Sequence, residues 1–119
     1  MMTQIKLKRV YEPEEPADGY RVLVDRLWPR GITKESLHYD LWAKDIAPSA
    51  SLRRSYHQSK ECPWDIFRIK YIEELEKSSA VNDFVDKIKD KKAVTLLYAS
   101  KNAVENHALV LQNFLEGKL

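Results

Sequence analysis

The sequence predicts a small, layered α/β fold, and three stretches carry that reading. Residues 93–99, AVTLLYA, form a continuous apolar run after a lysine-rich turn, the pattern of a strand buried on both faces. Trp64, Phe67, Tyr71 and Leu75 recur at helical spacing, as do Val81, Phe84, Val85 and Ile88. A second apolar β-branched stretch, RVLV at 21–24, lies well ahead of these helices. Strands separated by helices favour sheet-and-helix layers over an all-β or all-helical fold.

The elements follow in order. QIKLKRV at 4–10 alternates Ile5 and Leu7 with Lys6 and Lys8, a half-exposed strand near a sheet edge. YEPEEPADG is a loop punctuated by Pro13 and Pro16 and closed by an Asp18-Gly19 turn. It holds no helix, and a parallel crossover usually takes about a dozen residues or more. The direction of the first strand relative to the second is therefore open. After RVLV, Thr33 stands as an N-cap, with Glu35 in the first turn and Ser36 three residues on, so a short helix is expected. Leu41, Trp42 and Ile46 then share one side of another short helix, stopped by Pro48. Ser49 caps the next helix, ASLRRSYH, and Cys62-Pro63 restarts the chain before the helices named above. Val104, Ala108, Leu111 and Leu115 form the apolar face of a last helix.

Composition narrows the function classes. A chain of 119 residues reads as one α/β domain, 1–119, able to bury a core without staples. A net charge of +2 is too mild to argue for nucleic acid by itself. Cys62 is the only cysteine, which excludes an intrachain disulfide and a multi-thiolate zinc site. A cytoplasmic protein is expected, since no stretch reads as a signal peptide or membrane span. Only three glycines are present, Gly19, Gly31 and Gly117, so neither a P-loop nor a glycine-rich nucleotide-cofactor loop exists. The cofactor is left unassigned. His38, His57 and His107 stand in distant segments, and no metal site is expected.

The polar clusters sit where such a fold would place a site. In open parallel sheets, ligands bind beyond the carboxyl ends of the strands. The RVLV strand ends in DRLWPRG, and the AVTLLYA strand ends in Tyr98, Ala99, Ser100 and Lys101. If the two strands run parallel, both clusters share one rim. Arg26 and Arg30 would grip an anion through planar guanidinium forks, Asp25 would orient an arginine or move a proton, and Trp28 would supply a stacking face. The plainer reading pairs Asp25 with an arginine and buries Trp28 in the core. Lys44 would add a point charge. Ser49 either joins the site or only caps its helix, whose N-terminus attracts an anion, with Arg53 one turn further on. Asn106 and His107 open the last helix beside the strand end, and His107 is a candidate for proton transfer, with Tyr98 beside it. Equally, His107 is a packed histidine and Asn106 a backbone partner.

Four blocks of the chain carry a resemblance: VYEPEEPADGYRVLVDRLWPRGITKE, LWAKDIAPSASLR, WDIFRIKYIEEL, and VTLLYASKN with ENHALVLQNFL. Together they closely resemble the YeaO-like branch of the bacterial family called domain of unknown function 488 (DUF 488), from about residue 8 to about 115. The resemblance implies a small three-layer Rossmann-like sandwich, with a mainly parallel sheet flanked by helices. It implies no established reaction. The family pattern also places a histidine and a tryptophan in the middle helical region, where His57 and Trp64 stand.

Two functions from different classes follow. One is an enzyme or ligand binder for a small anion such as a nucleotide or phosphorylated metabolite. Asp25, His107 and Tyr98 would do general acid–base chemistry there, and Arg26, Arg30 and Lys44 would hold the anion. The alternative is a non-catalytic module that binds nucleic acid or protein, using Arg26, Arg30, Arg53 and Arg54 with Trp28 and Trp42. DRLWPRG is expected to line the rim of a pocket, with Arg26 turned inward.

Overall fold

A computed structural model of the chain describes residues 3–58, 62–102 and 104–119. Its strands are β1 (Gln4–Arg9), β2 (Tyr20–Leu23), β3 (Leu41–Trp42) and β4 (Ala93–Tyr98). Its helices are α1 (Ala50–Gln58), α2 (Trp64–Lys77), α3 (Ser79–Ile88) and α4 (His107–Glu116). The strands form one sheet in the order β1-β4-β2-β3, and every neighbouring pair is parallel. The open question of strand direction is thereby answered. β1 and β2 run the same way, and β4 inserts between them, with Ile5 and Tyr20 both opposite Val94.

Side chains alternate along each strand. Ile5, Val22, Val24, Val94 and Leu96 point to one face and join residues of all four helices, among them Leu52, Phe67, Phe84 and Leu111. Leu23 and Leu97 point the other way, into a smaller core with Val10 and Leu37. The helices thus cover one face of the sheet. Loop and turn segments cover the other, with Trp28, Tyr39 and Trp42 packed there.

Two expected helices are replaced by other structure. Thr33 does cap a turn, through the Ser36 N–H to its hydroxyl at 3.2 Å, but no helix follows, and Leu37 turns into the smaller core. Leu41 and Trp42 form a strand, and Lys44–Ile46 a single 3-10 turn. The physical reason is competition for backbone donors. The Asp40 N–H donates to Arg21 O at 2.7 Å and the Ala43 N–H to Leu23 O at 2.8 Å, so β2 takes the groups a helix would use. Val104 also lies outside the last helix, 70% exposed. The Asn102 side chain accepts the N–H groups of Val104 and Glu105 at 2.9 and 2.8 Å, which holds that turn apart from α4.

Gly19 closes the loop into β2 at φ +66°, where an added Cβ would lie 2.4 Å from Ala93 O. The backbone conformation alone costs a non-glycine residue about 1–3 kcal/mol. Gly19→Ala should therefore lower unfolding free energy in urea by at least that much, and an unchanged midpoint would refute the close approach.

The loops of the second face are also clasped electrostatically. His38 lies 2.5 Å from a Glu14 oxygen and 3.3 Å from an Asp40 oxygen. The hydrogen bond to Glu14, with Asp40 nearby, raises its pKa above the usual 6.5. A raised folded-state pKa contributes stability that is complete below about 6.5 and is lost as pH rises through the raised value. Melting temperature should fall slightly across that window, and Glu14→Gln should flatten the fall. An identical profile in the variant would count against the clasp.

Candidate functional site

Because β2 and β4 are adjacent and parallel, their carboxyl ends meet at one edge of the sheet. The Val24 N–H still pairs with Leu97 O at 3.0 Å, and the next residue turns out of the ladder. Asp25 spans the gap: its Oδ2 accepts the Ala99 N–H at 3.0 Å. The Trp42 indole N–H donates to the Asp25 carbonyl at 2.7 Å, fixing where the DRLWPRG loop leaves the sheet.

His107, the first residue of α4, reaches the same point. Its Nε2 lies 3.0 Å from Val24 O and 3.0 Å from Asp25 Oδ1. With two oxygens against it, Nε2 carries the hydrogen, and Nδ1 is left as the ring's acceptor or second donor. The hydrogen is aimed at the carbonyl, so the buried Oδ1 lies close to the ring nitrogen but has no aligned hydrogen bond among the described residues. Tyr71 lies edge-on to the imidazole, with centroids 6.3 Å apart. Burial, with the Glu74 and Asp25 charges, pushes the Tyr71 hydroxyl well above its usual range, and it donates to Ile46 O at 2.6 Å. It is therefore neutral at physiological pH, and its proton is engaged by the Ile46 carbonyl.

These groups border a cavity of about 430 Å³. Arg26, Arg30 and Arg53 are its cationic lining, and Glu105 joins Asp25 as the acids. Arg26 is anchored by its Nε–H donating to Pro48 O at 3.0 Å, which leaves its two terminal nitrogens for a ligand. Among the described residues no carboxylate lies within 4.0 Å of the three guanidinium groups. Tyr56, Trp64 and Phe67 are its aromatic lining, joined by Tyr11, whose hydroxyl donates to Arg30 O at 3.0 Å.

The structure brings Asp25, Arg26, Trp28, Arg30, Arg53 and His107 to this cavity, with Asn106 beside them. Two of these side chains are committed elsewhere. The Asn106 amide caps α4, accepting the Leu109 N–H at 2.8 Å and donating to Asn102 O at 2.9 Å. The Trp28 indole N–H donates to Ile32 O at 2.6 Å, and its ring packs edge-on to Trp42.

Lys44, Ser49 and Tyr98 are outside the lining. The Lys44 ammonium sits 4.5 Å above the Trp42 ring. Ser49 caps α1 through the Leu52 N–H at 3.2 Å, and the Glu74 carboxylate takes both its hydroxyl and its N–H, at 2.6 and 3.0 Å. The anion that this helix start attracts is thus the protein's own. Tyr98 belongs to the helix-side core. The His57 side chain lies outside the described residues, and Cys62 is a buried free thiol.

Sequence reasoning missed Tyr11, Tyr56, Phe67 and Glu105 as walls of the cavity. The aromatic spacing around α2 was the available signal, but it reads identically to a core stripe. Among the described residues no cluster of histidine, cysteine and acidic side chains is arranged to hold a metal. No helix there is long and apolar enough to cross a membrane.

Comparison with known proteins places this geometry in a family. A model described as the inactive DUF488-N3 subclade matches residues 4–119. The uncharacterized protein YeaO of Escherichia coli is 47% identical over 111 residues, covering 93% of this chain and 96% of that protein. Uncharacterized proteins of Mycobacterium tuberculosis and Mycobacterium bovis are each 41% identical over 116 residues, covering 98% of this chain and 97% of theirs. No solved structure matches. On this evidence the chain belongs to the DUF488 family, among its YeaO-like proteins.

Proposed function

We propose that the cavity binds a small anionic ligand, a nucleotide or another phosphorylated metabolite, and that the protein acts by holding it. The observation that carries this reading is the set of guanidinium groups at Arg26, Arg30 and Arg53, which share one concavity and have no acid partner among the described residues. Guanidinium forks match phosphate geometry, and a partly enclosed site strengthens each charge-assisted bond. A pocket gathers these charges more closely than an extended nucleic-acid surface requires, which favours a small ligand over the nucleic-acid or protein module.

Binding is favoured over catalysis by how the acid–base candidates are used. Asp25 spends one oxygen on the Ala99 N–H and sets the other against His107, whose Nε2 hydrogen is engaged by Val24 O. The description of the matching family as an inactive subclade agrees with this. A second reading has one observation in its favour: the Asp25–His107 pair borders the cavity, and Nδ1 of His107 is able to take a proton from a bound substrate. The cytoplasm is the compartment we assign, because the buried Cys62 thiol suits reducing conditions.

A thermal-shift panel of nucleotides, sugar phosphates, sulfate and divalent metals tests the proposal. Free ligand at about 100 times its dissociation constant should stabilise the fold by roughly 2.7 kcal/mol. A shift from phosphorylated compounds, weakened by salt, is the expected result. No shift from any anion would overturn it. Phosphorus NMR of the stabilising compound after prolonged incubation separates the two readings: an unchanged spectrum supports binding, and a new resonance moves the assignment to catalysis at His107.

A further inference from the structure

We infer that the ligand of this cavity carries a planar aromatic ring beside its anion, and that it is a free nucleoside monophosphate. This rests on the anion-binding reading above and narrows it.

The aromatic part of the lining carries this inference; it stands on α1 and α2, with Arg53 one turn before Tyr56 on α1. Tyr56 lies at the end of α1, and Trp64 and Phe67 lie in the first turn of α2. The three rings form one cluster. Tyr56 and Phe67 are 4.7 Å apart, and Trp64 stacks on Phe67 at 5.4 Å with 22° between the planes. Phe67 is buried and serves the core, but Tyr56 and Trp64 are only half-buried, and both border the cavity. An aromatic surface turned into a concavity gains from a flat apolar partner and gains nothing from water.

Trp64 has room around it as well. It borders a second hollow of about 420 Å³ between α2 and α4, lined by Ile72, Leu109 and Phe114. Inorganic phosphate or a sugar phosphate would engage the guanidinium end and leave this wall wet. A nucleobase would cover the wall while its phosphate reached Arg26, and a cavity of about 430 Å³ is within the range that small ligands occupy. Each base stacked on an aromatic side chain is worth roughly tenfold in affinity or more.

Isothermal titration of the intact chain with AMP, GMP, UMP and CMP, against ribose 5-phosphate and inorganic phosphate at one ionic strength, tests the inference. At least one nucleoside monophosphate should bind about tenfold tighter than ribose 5-phosphate. Trp64→Leu should erase that advantage and leave ribose 5-phosphate affinity within about twofold, because the guanidinium end is untouched. If that variant does not fold, Tyr56→Leu gives the same reading. Equal affinities for nucleotides and ribose 5-phosphate would overturn the aromatic inference and leave the anion site standing. No binding of any phosphate would overturn both. A 5′-phosphorylated oligonucleotide binding more tightly than every mononucleotide would overturn the free ligand in favour of a strand end.

Discussion

Asp18→Ala is expected to lower unfolding free energy by about 3 kcal/mol or more, the cost of stripping one partner from a buried charge network. Asp18 is 4% exposed and Arg21 2%. One carboxylate oxygen contacts the Arg21 guanidinium, and the other is 2.8 Å from the Lys8 ammonium. The Asp18 carbonyl accepts the Thr95 hydroxyl at 2.7 Å, so one residue ties together β1, β2 and β4. Alanine would leave the Arg21 cation buried without its counter-charge.

The pH dependence makes the prediction sharper. Burial by itself would raise the Asp18 carboxyl. The bonds from Lys8, the Glu15 N–H and Arg21 together outweigh burial and hold it below its ordinary 3.8. A lowered folded-state pKa contributes stability that is complete above that ordinary value and is lost as pH falls through the lowered one. The gap between wild type and variant should therefore be full at pH 7 and narrow in strong acid. Urea unfolding at several pH values reads both quantities. A loss under about 1 kcal/mol at neutral pH would mean that the network is solvated and not the clamp described here.

Arg26→Ala is expected to weaken binding of any phosphorylated ligand by at least about tenfold. Hydrogen bonds to charged groups contribute roughly 1.5–3 kcal/mol, and each 1.4 kcal/mol is a factor of ten. Arg26 is the arginine best prepared for this role. It stands three residues past the end of β2, it is half-buried, and Pro48 O holds its Nε, so little side-chain freedom remains to be lost on binding. Arg54→Ala is the matched control: an exposed arginine on α1, outside the cavity lining, expected to leave affinity within about twofold because exposed charges are screened. Calorimetry with the strongest ligand of the panel measures both. Equal affinities for wild type and Arg26→Ala would remove the anion from this end of the cavity.

The placement of the cavity was legible for a general reason. In a parallel sheet the strand ends gather at one edge, so residues written just after a strand become neighbours however far apart they lie in sequence. Asp25 and Arg26 follow β2, Ala99 and Ser100 follow β4, and all four border one cavity with His107. Lys44, Ser49 and Tyr98 were drawn in by nearness along the chain, which does not say where a side chain points. Tyr98 shows the cost: the period of two sends it to the helix side of β4. Ser49 shows the converse, since its capping role was readable locally, while its partner Glu74 stands 25 residues away.

What the sequence determined by itself is the set of elements whose cause is local. Helices α2, α3 and α4 and the strand β4 arise from the apolar pattern of their own residues, with Asn106 capping α4, and they stand essentially where that pattern puts them. Tertiary structure decided the rest. The segment from Thr33 to Ile46 has local helix signals, but β2 claims the backbone donors of Asp40 and Ala43, and partners more than 15 residues away outweigh a single capped turn. The insertion of β4 between β1 and β2 was likewise beyond local reading, because strand order is a choice among long-range pairings of similar local quality. The same long-range packing turned an ordinary-looking aromatic stripe into one wall of a cavity, by leaving Tyr56 and Trp64 at the margin of the core instead of inside it.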